Sequence, residues 1–278
     1  MKKIIAMLLT AAISVSLIAC GSSTSTGSSD AKDTAAAEET ASAEGAESDA
    51  LADGKLIVGT NAEFPPFEYL GDNGEPDGFD MALIKAIGEK LGVEVEIQNM
   101  EFGSLITSIG SKIDVAIAGM TVTDERKNAV DFSDSYYEAV QYVILPADSA
   151  IAAKEDLLGK NLGCQLGTTG EYLIDDLIAE DGTTQKKSYN KAVDAVNDLL
   201  NGRLDCVIID RNPAMVFQSN YPDQIKLTDG AVYGFEPEQY AIAMPKGDTV
   251  LTEKVNAALA EIKADGTFDK LVEQYIQN

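Results

Sequence analysis

Lys55-Leu56-Ile57-Val58-Gly59-Thr60 is an apolar run of strand length that closes on a glycine. Such a run reads as a buried strand whose C-terminal end meets a loop. Outward from it, residues 61–78 form a loop punctuated by Pro65, Pro66, Gly71, Gly74 and Pro76. Phe79, Leu83, Ile84, Ile87 and Leu91 then recur at helical spacing, and Gly92 stands where a helix stop belongs. Residues 93–97 alternate as a strand, Leu105, Ile106 and Ile109 mark a second helix, and residues 114–118 give a third strand. This order predicts an α/β sandwich with a mainly parallel sheet. A second series follows: a helix-like 154–158, a strand over 161–165, helices over 170–179 and 190–201, a strand over 205–210 and a helix over 213–218. Residues 239–244 then read as a strand, and 251–264 and 268–276 as helices. Open α/β sheets take ligands beyond the carboxyl ends of their strands, so the positions just after Val58, Ile117, Gly163 and Ile209 are the first candidates for a site.

Composition removes several classes of function. The chain has no His, which excludes Ser-His-Asp hydrolysis, HExxH zinc chemistry and a His general base. A formal charge of −25, with no basic cluster after the first three residues, would repel a polyanion, so nucleic acid is not an expected partner. Neither a Cys cluster nor EF-hand spacing is present, and no metal or cofactor is expected. At the N-terminus, Lys2 and Lys3 precede an apolar run that ends in Leu17-Ile18-Ala19-Cys20-Gly21. Residues 1–20 read as an export signal whose last residues resemble the lipobox of bacterial lipoproteins, in which the Cys is acylated and leads the mature chain. The alternative is an ordinary signal peptide cut near Ala19. Residues 21–53 are almost entirely Ser, Thr, Ala, Gly, Glu and Asp, with no aromatic side chain, and read as a disordered acidic linker reaching roughly 30 Å from the membrane.

Only three arginines exist, Arg126, Arg203 and Arg211. Arg126 closes Ala118-Gly119-Met120-Thr121-Val122-Thr123-Asp124-Glu125-Arg126, directly after a predicted strand. A guanidinium takes a carboxylate bidentately, and Gly119 and Thr121 offer N–H and O–H donors to the same oxygens. The same stretch also reads as a plain helix start, with Thr123 as its cap and Arg126 in a surface ion pair. Asp210 ends the apolar run 206–209 and precedes Arg211-Asn212-Pro213. It would receive an ammonium, or act as a helix N-cap or as a partner of Arg211. Phe64 and Phe102 read equally as walls of a pocket or as core, while Phe67 and Tyr69 read as core. Gln165-Leu166-Gly167-Thr168-Thr169-Gly170 joins a strand to a helix whose free N–H groups favour anions, but it lacks the spacing of either nucleotide-binding glycine motif.

Five motifs in order resemble the bacterial extracellular solute-binding proteins of family 3, the polar amino acid receptors of ABC importers. They are Gly59-Thr60-Asn61-Ala62-Glu63-Phe64-Pro65-Pro66-Phe67-Glu68-Tyr69; Gly78-Phe79-Asp80-Met81; the stretch from Ala118 to Arg126 with Asp131-Phe132-Ser133; Gly167-Thr168 with the acid-ended run 205–210; and Gln239-Tyr240. The resemblance implies a two-lobed periplasmic-binding-protein-like type II fold, each lobe a mainly parallel sheet flanked by helices, joined by two hinge strands. Lobe 1 would comprise residues 54–140 and 238–278, and lobe 2 residues 141–237. It further implies that Arg126 takes a ligand α-carboxylate with help from Gly119, Thr121 and Thr168, and that Asp210 takes the α-ammonium. Phe64 and Phe102 would sandwich the ligand side chain, while Asn61, Gln165, Thr169 and Ile209 set which side chain fits.

Many relatives carry Asp where Asn61 stands, so a neutral polar amino acid is expected. The implied protein is a monomer, acylated at Cys20, extracytoplasmic and bound to the cell membrane, that delivers its ligand to permease subunits and performs no chemistry. The alternative from another class is a dehydratase of cyclic amino acid precursors on the same scaffold, of the cyclohexadienyl or arogenate kind, for which Glu63 is the candidate acid or base. Cys164 and Cys206 lie on strands that would be neighbours, and buried free thiols are expected there rather than a disulfide.

Overall fold

A computed structural model describes residues 49–277 of the chain. The expected signal, Cys20 and most of the linker lie outside those residues. Ordered structure begins before residue 54, where the linker was expected to end: Asp49–Leu51 is a 3-10 turn, and Ala50 and Leu51 pack on the core. Among the described residues no helix is long and apolar enough to cross a membrane.

The run Lys55–Thr60 is the second strand of a five-stranded sheet whose order is Glu94–Asn99, Lys55–Thr60, Val115–Ala116, Ala243–Pro245 and Val130–Phe132. Lys55–Thr60 pairs in parallel with Glu94–Asn99 and Val115–Ala116, while Ala243–Pro245 runs antiparallel to both its neighbours. The second sheet has the order Gln185–Tyr189, Asn161–Gln165, Cys206–Asp210, Gln141–Pro146 and Ile225–Asp229, in which Gln141–Pro146 alone runs against the other four. Each sheet is therefore mainly parallel, as expected, with four strands in one direction and a single strand against them. The reason lies in the connections. The chain leaves the first sheet through Tyr137–Ala139 and enters the second as Gln141–Pro146; it returns through Glu238–Tyr240 and enters the first as Ala243–Pro245. Each incoming strand arrives from the opposite lobe and so runs against the parallel set. Tyr137–Ala139 and Glu238–Tyr240 pair antiparallel with each other as a two-stranded hinge.

The helix Phe79–Leu91 shows how the pattern becomes packing. Phe79, Met81, Leu83, Ile84 and Ile87 are buried, each contributing about 1.5–3 kcal/mol through removal from water, and Gly92 closes the helix in the left-handed conformation. At its start Gly78 has φ 121°, and a Cβ there would sit 2.3 Å from the Phe67 carbonyl oxygen. That close approach lets the Phe79 and Asp80 N–H groups donate to the Pro66 and Phe67 carbonyls. The loop carrying Phe64 and Glu68 is thereby tied to the helix carrying Asp80.

Cys164 and Cys206 are free, buried and on adjacent parallel strands, as expected. The register sets Cys206 opposite Leu162, which leaves Cys164 two residues along its strand and too far for a bridge. Burial pushes the Cys164 thiol up to about 12 and raises Cys206 as well, so neither is a reactive thiolate.

Candidate functional site

Thr60, Ala116, Gln165 and Asp210 are strand ends, and the carboxyl edges of both sheets converge on one cavity. All ten ligand-binding positions expected from the sequence line it: Asn61, Phe64, Phe102, Gly119, Thr121, Arg126, Gln165, Thr168, Thr169 and Asp210. Glu68 and Ala118 line it too, and sequence reasoning missed both. Ile209 is buried in the core and is not part of the lining. Glu63, the acid considered for proton chemistry, is not in the lining; it forms an ion pair with Lys191 of the other lobe.

The helix-start reading of the Arg126 stretch holds in part. Thr123 does cap the short helix Asp124–Lys127, accepting from the Arg126 N–H at 3.1 Å. The guanidinium, however, is only 4% exposed and makes no surface ion pair. Its NH1 donates to the Thr121 carbonyl at 2.7 Å and its NH2 crosses to the Gly167 carbonyl of the other lobe at 2.9 Å. Phe102 and Tyr172 lie on it at 5.5 and 5.9 Å from the ring centroids. Burial lowers its pKa from a high starting value, so the group stays charged and keeps donors to spare. Glu171 fixes the receiving turn by accepting from the Gly167 N–H and the Ser188 hydroxyl.

The expected hydroxyl and amide donors are engaged differently. Gly119 donates its N–H to Asp80 at 2.8 Å. The Thr121 and Thr169 hydroxyls donate to Glu238 of the hinge, and that of Thr168 to the Gln165 carbonyl. Among the described residues, the backbone N–H groups of Thr121 and Thr169 find no protein acceptor, and the latter opens the helix Thr169–Glu180. The donors left free to meet an anion are thus those of a guanidinium and two amides rather than hydroxyls.

Asp210 occupies the N-cap position of the helix Arg211–Asn220, but its side chain makes no cap bond. It accepts instead from the Tyr240 hydroxyl and faces the cavity. Burial raises its pKa, and the Glu238 charge adds to the effect. Across the cleft the Gln165 amide donates to the Asn61 side chain at 2.9 Å. With the Arg126–Gly167 and Lys191–Glu63 contacts, this describes closed lobes.

Glu68 is fully buried, and neither carboxyl oxygen has a hydrogen-bond donor. Burial pushes its pKa well above the usual range, and the neighbouring Asp80 pushes it further. Asp80, also fully buried, accepts on Oδ2 from the Gly119 N–H and the Tyr136 hydroxyl, while Oδ1 has no donor. Burial raises it to about 6 against those hydrogen bonds. Between about pH 4 and 6 the folded chain therefore holds protons that the unfolded chain has lost, and stability falls as pH rises. For Asp80 alone the change is on the order of 3 kcal/mol. Ligand-free protein is expected to melt higher at about pH 5 than at about pH 7 in a calorimetric series; a flat or rising melting temperature over that window contradicts it.

Two α/β lobes, two connecting strands and a polar cavity at the facing carboxyl edges define a receptor-type scaffold for a small ligand, the type II periplasmic-binding-protein-like fold. Residues 56–278 match the bacterial extracellular solute-binding proteins, family 3, and the chain belongs to that family. It is 37% identical over 279 residues to the arginine-binding extracellular protein ArtP of Bacillus subtilis (strain 168), covering 99% of this chain and 98% of that protein. An ancestral arginine-binding protein solved with arginine superposes with a TM-score of 0.75 at 42% identity, over 80% of this chain and 98% of that one. The ancestral amino acid-binding protein AncCDT-1, described as a precursor of cyclohexadienyl dehydratase, gives a TM-score of 0.72 at 33% identity, over 81% of this chain and 97% of that one.

Proposed function

We propose that the protein binds one free amino acid with a cationic side chain, of the arginine kind, and delivers it to the membrane subunits of an ABC importer without performing chemistry on it. One observation carries the reading. A cavity between the lobes holds a buried guanidinium from lobe 1, and buried carboxyls from both lobes that, among the described residues, form no ion pair with a Lys or Arg. The α-carboxylate would lie on Arg126 and the Thr121 and Thr169 amides, and the α-ammonium on Asp210. Each charge leaves water only because a fixed partner receives it. With Arg126 and Asp210 so occupied, Glu68 and Asp80 still lack a counter-charge. A guanidinium or ammonium on the ligand side chain supplies one, with Phe64 and Phe102 along its aliphatic stem.

This replaces the neutral polar ligand argued from Asn61, because Glu68 brings the carboxyl that Asn61 lacks. The arginine-binding relatives support the same choice. Closing of the lobes about the hinge would hide the ligand, with Arg126 meeting lobe 2 through Gly167. An enzymatic reading has lost its sequence candidate, since Glu63 stands outside the cavity in an ion pair. We further propose an extracytoplasmic monomer anchored through Cys20. A thermal-shift screen of the twenty amino acids and cystine tests the ligand class: the largest rise is expected with arginine or lysine. A largest rise with a neutral or acidic amino acid overturns it, and formation of an aromatic product from a cyclic amino acid precursor overturns the absence of chemistry.

A further inference from the structure

Glu68 and Asp80 are placed together for a reason that ligand charge alone does not explain. Glu68 sits at the start of the strand Glu68–Leu70, and Asp80 lies in the first turn of the helix Phe79–Leu91. Their carboxyls are within hydrogen-bonding reach of each other. Oδ2 of Asp80 is satisfied by Gly119 and Tyr136, yet Oδ1 of Asp80 and both oxygens of Glu68 face no N–H or O–H donor. Two ionised carboxylates so placed, in a wall closed to water, would repel each other with nothing to offset the loss of hydration. A single proton removes the conflict. Carried by Glu68, it makes that carboxyl a donor to Oδ1 of Asp80 and leaves one negative charge, which Gly119 and Tyr136 hold.

Resting on the basic-ligand reading above, we propose that Glu68 and Asp80 share one proton when no ligand is bound, and that a cationic ligand side chain displaces it, so that a basic amino acid exchanges for a proton while a neutral one does not. The other ionisable groups facing the pair fit this role. Tyr136 donates to Asp80 from the segment before the hinge, and Asp210 adds negative potential from the other lobe. Tyr240 donates to Asp210 rather than to the pair. Glu238 is engaged by Thr121, Thr169 and Gln141, and the Arg126 guanidinium is committed towards Thr121 and Gly167. Among the described residues no Lys or Arg forms an ion pair with the carboxyls, so the compensating charge is either a proton or the ligand. The device gives selectivity a pH dependence: arginine affinity rises by up to about tenfold per pH unit while the shared proton is present at rest and lost on binding. A neutral isostere lacks that dependence.

Isothermal titration of the full protein at mildly acidic pH, in two buffers of different ionisation enthalpy, counts the protons. L-arginine and L-citrulline share their α-groups and shape but differ in side-chain charge, so any proton released at Asp210 is common to both. Arginine is expected to release up to about one proton more than citrulline. In Glu68→Gln that excess vanishes and arginine affinity falls at least about tenfold. Asp80→Asn keeps the Glu68 carboxyl and an acceptor for Gly119 and Tyr136 but removes the second acid, so the excess release shrinks and its midpoint moves to lower pH. Equal proton counts for arginine and citrulline in the wild-type protein overturn the exchange while leaving the ligand class standing. Failure of every basic amino acid to bind overturns the ligand class itself.

Discussion

Arg126→Ala is expected to abolish amino acid binding, with a loss of roughly two to four orders of magnitude in affinity, while the chain still melts in one cooperative transition. The size follows from what the side chain faces. Removing one partner of a buried charge pair costs about 3–5 kcal/mol, because the other charge, here the ligand carboxylate, is left desolvated and unpaired. Nothing else in the cavity replaces it: the Thr121 and Thr169 hydroxyls are committed to Glu238, and two amides alone carry no full charge. The fold should survive because Arg126 belongs to a four-residue helix at the cavity, outside the apolar clusters beneath the two sheets. Its loss also frees the Gly167 carbonyl, so residual closure weakens together with affinity. Calorimetric titration and a thermal melt separate the two effects. Retained affinity refutes the role of Arg126, and loss of the melting transition shows the residue to be structural.

Asp210→Asn carries the second large effect, and its sign depends on the ligand. The wild-type carboxyl ends a buried strand, accepts from the Tyr240 hydroxyl and is held without a cation. An α-ammonium would find there a negative charge already stripped of water. Asparagine keeps the acceptor for Tyr240 but offers the ammonium only a dipole, so amino acids should bind about a hundredfold more weakly. Deaminated analogues, which never use that charge, should bind the variant as well as or better than they bind the wild type, because the uncompensated carboxylate is gone. Equal losses for amino acids and for their deaminated analogues would contradict the role assigned to Asp210.

The sequence is most legible where one physical cause dominates. In Lys55–Thr60 and Phe79–Leu91 hydrophobic period and glycine punctuation agree, and their bounds match the structure. Gln185–Tyr189 went unread because it is a partly exposed edge strand of polar residues, held by main-chain pairing to Asn161–Gln165 with no apolar period to announce it. Residues 239–244 read as one strand but form two, since the chain passes from the hinge to the sheet at Ala241 and Ile242, an event with no local signature. Within the site, position was legible and direction was not. Strand ends marked where a site would lie and the family resemblance supplied the ten residues, yet which hydroxyl or amide turns inward depends on partners such as Glu238 and Asp80 that are remote in sequence. Glu68 was hidden among aromatics in Phe67-Glu68-Tyr69. Its signal was present all the same: an acid between two residues assigned to the core must be buried with them or face the opposite side.

A crystal structure of the protein grown with L-arginine addresses the central claim most directly. The account requires one arginine between the lobes, its carboxylate on Arg126 and the Thr121 and Thr169 amides, its α-ammonium on Asp210 and its guanidinium directed at Glu68 between Phe64 and Phe102. Density for arginine lying outside the cleft, or lying within it with the guanidinium turned away from Glu68, would contradict it.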